Sequence, residues 1–327
     1  METELIVFYL ATLVLTFCIT FLIESKLIPI FIRTAKQPIY EEGPSWHASK
    51  KGTPTMGGLA FLISSSLILL STVFLFKLKG YGYEAISLVI SLIFCLFNAI
   101  IGIIDDLTKL RRKQNAGLSP LQKLILQFLF ATIFLLLRKL CLDASTVVSF
   151  FNLKIDLGYL YYPLMLLLIV GIINFANLTD GIDGLAACVA FSCGVTYFML
   201  TKASTYDAAI IALAAIGGSL GFLCFNINPA KIFMGDTGSL YLGAMICACA
   251  FSFDKPVSLI PIGVIYIVEG LSVVLQVAVY KSTKKRLFKM APLHHHLEKS
   301  GSDENKICII AMLVTFLSSL LYVIFIL

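Results

Sequence analysis

Long, uninterrupted runs of apolar residues restrict the fold of this chain more than any other feature. About ten such runs cover nearly the whole sequence, and a helix needs about 20 apolar residues to cross the hydrocarbon core of a bilayer. Of the 327 residues, 59% are hydrophobic and 13% are charged, whereas a soluble domain has about 25% charged residues. The chain is therefore predicted to be an integral membrane protein.

The runs are continuous and do not alternate with polar residues, so they predict membrane-spanning helices and not barrel strands. We expect an all-α protein with one domain over residues 1–327 and about ten spans. These spans cover residues 4–24, 56–77, 84–104, 121–140, 158–176, 184–201, 207–225, 238–253, 257–280 and 306–327. The fifth, sixth and eighth spans are short and contain Gly or polar residues. Neighbouring helices should shield them, or they should line a cavity.

The distribution of basic residues predicts the orientation. Eighteen of the 25 Lys and Arg residues lie in the loops that follow odd-numbered spans or at the very start of the span after such a loop. Cytoplasmic loops carry an excess of Lys and Arg, so these loops are predicted to be cytoplasmic and both termini extracytoplasmic. The net charge of +6 follows this membrane pattern and does not indicate a nucleic-acid partner.

An aspartate pair ends the third predicted span. Asp105 and Asp106 are adjacent carboxylates at a membrane boundary, where they repel each other. A divalent cation, or a basic partner such as Lys109, would relieve that repulsion. The alternative is a solvated helix end.

A polar segment separates the fifth and sixth spans. Its amides and acids recur every three residues, at Asn174, Asn177, Asp180 and Asp183. On a helical turn, residues with this spacing share one face, which predicts an acidic stripe. The alternative is a simple turn between two helices.

The segment before the eighth span combines Gly, Asp, Thr and Ser. Such residues cap a helix, and the exposed N–H groups there favour phosphate. Asp236 in this segment is suited to hold a Mg²⁺ ion that bridges phosphates. A cap with no ligand is the alternative.

Two further candidates lie late in the chain. Three consecutive histidines point in different directions on a helix or a strand, so they are not expected to bind one ion. Hydrogen bonding of two of them to phosphate or nucleotide is favoured over a structural role. Glu269, within the span at 257–280, is either a functional carboxylate or a helix–helix hydrogen-bond partner.

Together and in this order, the motifs IDDLTK, NLTDGIDGL, FMGDTGSL and the histidine-rich loop resemble the polyprenyl-phosphate N-acetylhexosamine-1-phosphate transferases. The segments GTPTMGG and APLHHHLE are similar to the branch that uses UDP-N-acetylmuramoyl-pentapeptide. A sister enzyme that uses UDP-N-acetylglucosamine is the alternative, although its histidine motif is spaced differently. A secondary transporter is disfavoured, because its acids should lie near the membrane midplane.

The resemblance implies a Mg²⁺-dependent transferase of peptidoglycan synthesis. The donor would be UDP-N-acetylmuramoyl-pentapeptide and the acceptor undecaprenyl phosphate, and the products lipid I and UMP. It also implies a multi-pass protein of the bacterial inner (plasma) membrane, with a cytoplasmic active site and a homodimeric assembly.

The resemblance also implies roles for individual residues. The catalytic residues would be Asp105, Asp106, Asp236 and His295, and the first three would be metal ligands. Substrate-binding positions would be Lys50, Thr55, Lys109, Lys123, Asn174, Asn177, Asp180, Asp183, Asn226, Phe233, Gly235, Gln276, His294 and His296.

Overall fold

The structure, a computed structural model, describes residues 2–35, 50, 52–112, 117–150, 153–201 and 205–326. Its helices are α1 (Glu2–Thr34), α2 (Gly58–Leu78), α3 (Gly82–Arg112), α4 (Pro120–Leu142), α5 (Tyr161–Thr179), α6 (Leu185–Leu200), α7 (Tyr206–Asn226), α8 (Gly235–Ser252), α9 (Leu259–Ile262), α10 (Val264–Thr283), α11 (Leu293–Glu298) and α12 (Glu304–Ile326). Each predicted span contains a helix, and eight of the described helices are long and apolar enough to cross a membrane. The prediction of a helical membrane protein is confirmed.

The central helix of the bundle is α8. Every residue from Thr237 to Ser252 is buried, and α8 packs most extensively against α3 and also against α5, α7 and α2. Small residues bring the backbones together, because a Cβ atom on Gly58 would collide with Gly238 and one on Gly102 with the backbone of Asp236. The prediction that the short eighth span is shielded by its neighbours is therefore confirmed.

The C-terminal end of α8 is capped by a buried cation from another helix. Arg138, near the end of α4, is 3% exposed. Its Nη2 donates to the carbonyl oxygen of Phe251 at 2.5 Å and to Asp254 Oδ1 at 3.0 Å. The last carbonyls of a helix carry partial negative charge, so a guanidinium at this position stabilises the helix end inside the bundle.

The ninth predicted span is not one continuous helix. A 3₁₀ turn precedes α9, and α9 is separated from α10 at Gly263. Pro261 has no backbone N–H to continue the helix, and Ser318 Oγ of α12 donates to its carbonyl oxygen at 2.7 Å. The regular pattern of helical hydrogen bonds is therefore interrupted at Pro261, which donates none and whose carbonyl oxygen is bound by a hydroxyl group from α12.

A short β-hairpin follows α4 and was not predicted. Strands β1 (Val147–Phe150) and β2 (Leu153–Asp156) are antiparallel, with Val147 opposite Asp156. Each strand has only four residues, and β2 is exposed throughout. Strands this short leave little hydrophobic pattern in a sequence.

Candidate active site

Two aspartates from different helices share two lysines at one end of the bundle. Asp105 belongs to α3 and Asp236 to the first turn of α8. Lys109 Nζ is 2.6 Å from Asp105 Oδ2 and 3.1 Å from Asp236 Oδ1. Lys123 Nζ of α4 is 2.9 Å from Asp105 Oδ1 and 2.5 Å from Asp236 Oδ2. The structure therefore brings together charges that lie far apart in the sequence.

Asp106 caps the N-terminus of α8. Its Oδ1 accepts from the backbone N–H of Asp236 at 3.1 Å. Its Oδ2 accepts from the backbone N–H of Thr237 at 2.9 Å and from Thr237 Oγ1 at 2.7 Å. The cap is unusual in coming from another helix, and it fixes the turn that carries Asp236.

The carboxylates of Asp105, Asp106 and Asp236 form a donor set for a metal ion. Each offers one oxygen, and these atoms lie within 4.8 Å of one another. Carboxylate oxygens are the ligands that Mg²⁺ takes in proteins. Three carboxylates and two lysines give a formal charge of −1, so a divalent cation would make the cluster positive and suited to phosphates. The residues present fit Mg²⁺.

A cavity of about 700 Å³ opens beside the cluster. Asn177 of α5 lines it, and its Nδ2 donates to Ser239 Oγ at 2.8 Å and to Asp236 Oδ1 at 3.3 Å. Ligand cavities for small molecules have volumes of about 300–1,000 Å³. Other polar side chains that line the cavity are Thr108, Arg112, Ser119 and Gln122.

The stripe predicted on one helical face is wrong, because α5 ends at Thr179. Only Asn174 and Asn177 are helical. Asn174 turns to α4, where its Nδ2 donates to Gln127 Oε1 at 2.7 Å, so it lies outside the aspartate cluster in this arrangement.

Asp180 follows the last residue of α5 and lies near the acidic cluster. Burial raises the pKa of its carboxyl well above the usual value, and the charges of Asp236, Asp106 and Asp183 raise it further. The neighbouring acids therefore oppose ionisation of Asp180, which indicates a region where added cationic charge would be favourable.

Asp183 takes part in a second ionic cluster. Lys50 Nζ lies 2.7 Å from both Asp183 Oδ1 and Glu304 Oε2. Asp183 Oδ2 also accepts from Asn228 Nδ2 and from the backbone N–H of Ala230, each at 3.0 Å. These contacts join the start of α12, the turn after α5 and the segment before α8.

The remaining predicted positions in this region hold backbone segments together. Asn226 Oδ1 accepts from the Gly184 backbone N–H at 2.9 Å, and Asn226 Nδ2 donates to the carbonyl oxygen of Ile232 at 2.8 Å. The backbone N–H of Phe233 donates to the carbonyl oxygen of Pro54 at 2.8 Å.

Gly235 adopts a left-handed conformation, with φ of 74°. A Cβ atom there would lie 2.6 Å from Asp106 Oδ2 and 3.0 Å from Thr55 Oγ1. Glycine is therefore required both for the backbone angle and for the close approach of the capping carboxylate.

The three histidines have three different environments on α11. His294 is fully buried, and its Nδ1 lies 3.1 Å from Glu269 Oε2 of α10. His295 Nδ1 is 2.6 Å from Glu298 Oε2. His296 Nδ1 accepts from the backbone N–H of Lys289 at 3.1 Å.

Gln276 of α10 binds the loop that precedes α11. Its Oε1 accepts from the backbone N–H groups of Leu287 at 3.0 Å and Phe288 at 2.9 Å. Gln276 thus supports the histidine-bearing segment, which the sequence did not indicate.

Two acids that the sequence did not single out belong to these clusters. Glu304 binds Lys50 and also accepts from the backbone N–H of Asp183 at 2.8 Å. Glu298 binds His295. Glu304 is an acid in the first turn of a helix, which is common for helix-dipole reasons alone, so its position carried no specific signal.

Comparison with known proteins finds one matching family and relatives that share one name. The model of glycosyl transferase family 4 matches residues 56–254. Three curated relatives share the name phospho-N-acetylmuramoyl-pentapeptide-transferase. That of Halalkalibacterium halodurans is 42% identical over 317 residues, covering 95% of each chain. That of Caldicellulosiruptor bescii is 40% identical over 94% of this chain and 95% of the relative, and that of Bacillus velezensis is 40% identical over 92% of each.

The family model covers more than half of the 327 residues, and the relatives align over nearly the full length at about 40% identity. The matched region contains the aspartate cluster and both capped ends of α8. The chain belongs to the phospho-N-acetylmuramoyl-pentapeptide transferases, within glycosyl transferase family 4.

Proposed function

We propose that this protein transfers phospho-N-acetylmuramoyl-pentapeptide from its UDP-linked donor to undecaprenyl phosphate, giving lipid I and UMP for peptidoglycan synthesis. The observation that carries the proposal is the cluster of Asp105, Asp106 and Asp236 with Lys109 and Lys123 at one end of membrane helices. A donor soluble in water and an acceptor anchored in the bilayer can meet only at such a boundary.

The reaction exchanges one phosphoanhydride bond for another. A phosphate oxygen of the lipid attacks the phosphorus that bears the sugar, and the bond from that phosphorus to the bridging oxygen breaks. UMP leaves with that oxygen. The lipid phosphate is already ionised near neutral pH, so the need for a general base is modest, and catalysis is mainly positioning and charge stabilisation.

We propose that Asp105 acts as a metal ligand and a charge partner and not as a nucleophile. It is fully buried, it contacts both lysines, and its Oδ1 accepts from the backbone N–H of Leu118 at 2.7 Å. A carboxylate with these partners is a weak nucleophile. Direct attack by the lipid phosphate is therefore the proposed route, and UMP release from the donor without lipid acceptor would contradict it.

Mg²⁺ is the proposed cofactor. Asp236 and Asp105 would hold it, together with an oxygen of Asp106, whose carboxylate also accepts the hydrogen bonds that cap α8. Bound there, it would stabilise negative charge on the phosphoryl oxygens. Lys109 and Lys123 orient these carboxylates and offset phosphate charge. Lys50, Asp183 and the histidines of α11 form the donor side in this proposal, with His295 in a catalytic role. Asn174, Asn177, Asp180, Asn226, Thr55, Phe233, Gly235, Gln276, His294 and His296 are proposed to shape or support the substrate sites.

The proposal extends to membrane arrangement. We propose ten crossings in one domain, counting α6 and α8 as crossings and α9 with α10 as one. Successive crossings contribute alternate ends to the site: α2 contributes its start and α3 its end, and the series continues to the end of α10 and the start of α12. This alternation is what a chain that crosses the membrane back and forth requires. The charge pattern then gives a cytoplasmic site in the plasma membrane and extracytoplasmic termini, and a homodimer is proposed from the family resemblance.

The decisive experiment measures UMP release by the purified protein. UDP-N-acetylmuramoyl-pentapeptide and undecaprenyl phosphate are supplied with Mg²⁺ and, in parallel, with a chelator. We expect release only with both substrates and the metal. UDP-N-acetylglucosamine serves as the matched donor control, and preferential turnover of that donor would overturn the proposal.

A further inference from the structure

Glu269 is a buried acid within a membrane-spanning helix, and the described hydrogen bonds of its carboxylate all go to one residue. It is 4% exposed, and its partner His294 is fully buried. Both carboxylate oxygens accept from the His294 backbone N–H at 3.1 Å, and Oε2 also lies 3.1 Å from His294 Nδ1. A carboxylate is costly in a membrane helix, so such a specific partner indicates a function for the pair.

The contact with Glu269 determines which ring nitrogen of His294 carries the hydrogen. A carboxylate can only accept hydrogen bonds, so Nδ1 must be the donor. In the neutral ring, Nε2 then has a free lone pair. A carboxylate behind a histidine sets the tautomer and the ring orientation in the same way in other enzymes.

The free nitrogen points to the turn between α5 and α6. His294 Nε2 is buried and has no hydrogen-bond partner among the described residues. A Cβ atom on Gly181 would collide with it, so Nε2 lies directly against the turn that carries Asp180 and Asp183. A buried acceptor without a partner is unfavourable, and a ligand group that donates a hydrogen bond would remove that cost.

We infer that Glu269 is a positioning residue, which holds His294 so that Nε2 accepts a hydrogen bond from a hydroxyl or N–H group of the bound nucleotide-sugar donor. The inference rests on the proposed function for the identity of the donor. It assigns to an intramembrane acid a part in donor recognition, acting through a histidine 25 residues later in the chain.

The test compares variants of both partners by kcat and KM for UMP release. In Glu269→Gln, the amide can donate to Nδ1, and the tautomer is no longer fixed. We expect kcat/KM for the donor to fall at least about tenfold, because a wrong tautomer of a held histidine is costly. In a His294→Asn background, adding Glu269→Gln should have no further effect, because Glu269 then has no ring to position.

Two replacements of His294 identify the nitrogen that is used. The amide of His294→Gln reaches the place of Nε2, whereas that of His294→Asn reaches the place of Nδ1. We expect the Gln variant to retain more activity than the Asn variant. This comparison tests whether Nε2 is the nitrogen that is used, even if Glu269→Gln fails to fold.

Asp207→Asn is the matched control for the loss of a buried acid. Asp207 is 4% exposed in α7, and its Oδ2 accepts from Ser87 Oγ. Its kcat/KM per folded protein should equal that of the wild type. Equal losses from Glu269→Gln in both backgrounds, or wild-type turnover of Glu269→Gln, would overturn the inference. A wild-type protein that releases no UMP would instead refute the proposed function.

Discussion

Asp105 and Asp106 are neighbours in the chain, but their side chains have different surroundings. Asp105 contacts Lys109 and Lys123 at the cavity, whereas Asp106 accepts three hydrogen bonds from the first turn of α8. One residue faces the proposed chemistry, and the other holds the helix that carries Asp236. Two adjacent aspartates that form one sequence motif therefore have two different roles.

This division predicts different outcomes for the same substitution at the two positions. Asp105→Asn should lower kcat at least about 100-fold, since loss of one charge-stabilising group costs about that much. It should lower the thermal midpoint less than Asp106→Asn, because Lys109 and Lys123 keep Asp236 as a partner. Asp106→Asn replaces an acceptor oxygen by an NH₂ group. It should lower the free energy of unfolding by about 1–3 kcal/mol, together with activity. UMP release and thermal unfolding in detergent measure both, and equal midpoints for the two variants would refute the division.

Lys50 is the cation of the second cluster, shared by Asp183 and Glu304. A charge-assisted hydrogen bond contributes about 1.5–3 kcal/mol. If Lys50 contacts the donor phosphates, Lys50→Met should raise the KM for the donor about 10- to 100-fold and change kcat less. Lys77→Met, at the exposed end of α2, is the control. An unchanged KM would place Lys50 outside the donor site.

At the scale of elements, α8 depends on contacts between backbones. Gly58 of α2 and Gly238 of α8 touch, and α3 approaches through Gly102. Without a hydrophobic driving force between helices in lipid, close packing of small residues provides much of their association. The position of Asp236 is therefore set by the glycine contact with α2, a helix that carries none of its ionic partners, as well as by α3.

Gly58→Ala tests this dependence. The added methyl group would collide with Gly238, and overpacking of a rigid contact costs about 1–3 kcal/mol. We expect a lower thermal midpoint and a lower kcat, because the start of α8 must move. Gly171→Ala is the matched control, since a Cβ at this α5 position meets nothing within 4 Å. A Gly58→Ala protein as stable as Gly171→Ala would contradict the proposed role of the contact.

For the whole molecule, a bound cation should stabilise the folded state, because the unfolded chain has no clustered carboxylates. A ligand at 100 times its Kd contributes about 2.7 kcal/mol. Mg²⁺ should therefore raise the thermal midpoint of the wild type, and Asp236→Asn should show little or no shift. Ca²⁺ at equal ionic strength separates specific binding from screening. A shift of equal size in Asp236→Asn would place the metal elsewhere.

Hydropathy predicted where the helices lie because apolar runs dominate the chain. It placed the ends of α1 and α3 too early: the spans were expected to end at residues 24 and 104, yet α1 continues to Thr34 and α3 to Arg112. In α3, polar and basic residues that favour helix continue the helix beyond the apolar run, and hydropathy does not detect such residues. In α1, the helix continues through Lys26 and Pro29, which interrupt the pattern on which the predicted end was based. The motifs similarly predicted Asp105 and Asp236 as candidate site residues. They did not predict that Asp106 caps α8 or that Glu304 binds Lys50, because such pairings depend on three-dimensional packing.

The caps of α8 also limit how its sequence can change. Asp106 of α3 fixes one end and Arg138 of α4 fixes the other, at the carbonyl of Phe251. One inserted or deleted residue would rotate one end relative to the other by about 100° and shift it by about 1.5 Å. Either Asp236 or the arginine contact would then be lost, so a change in the length of α8 should not be tolerated. We expect relatives to keep the number of residues in this helix constant.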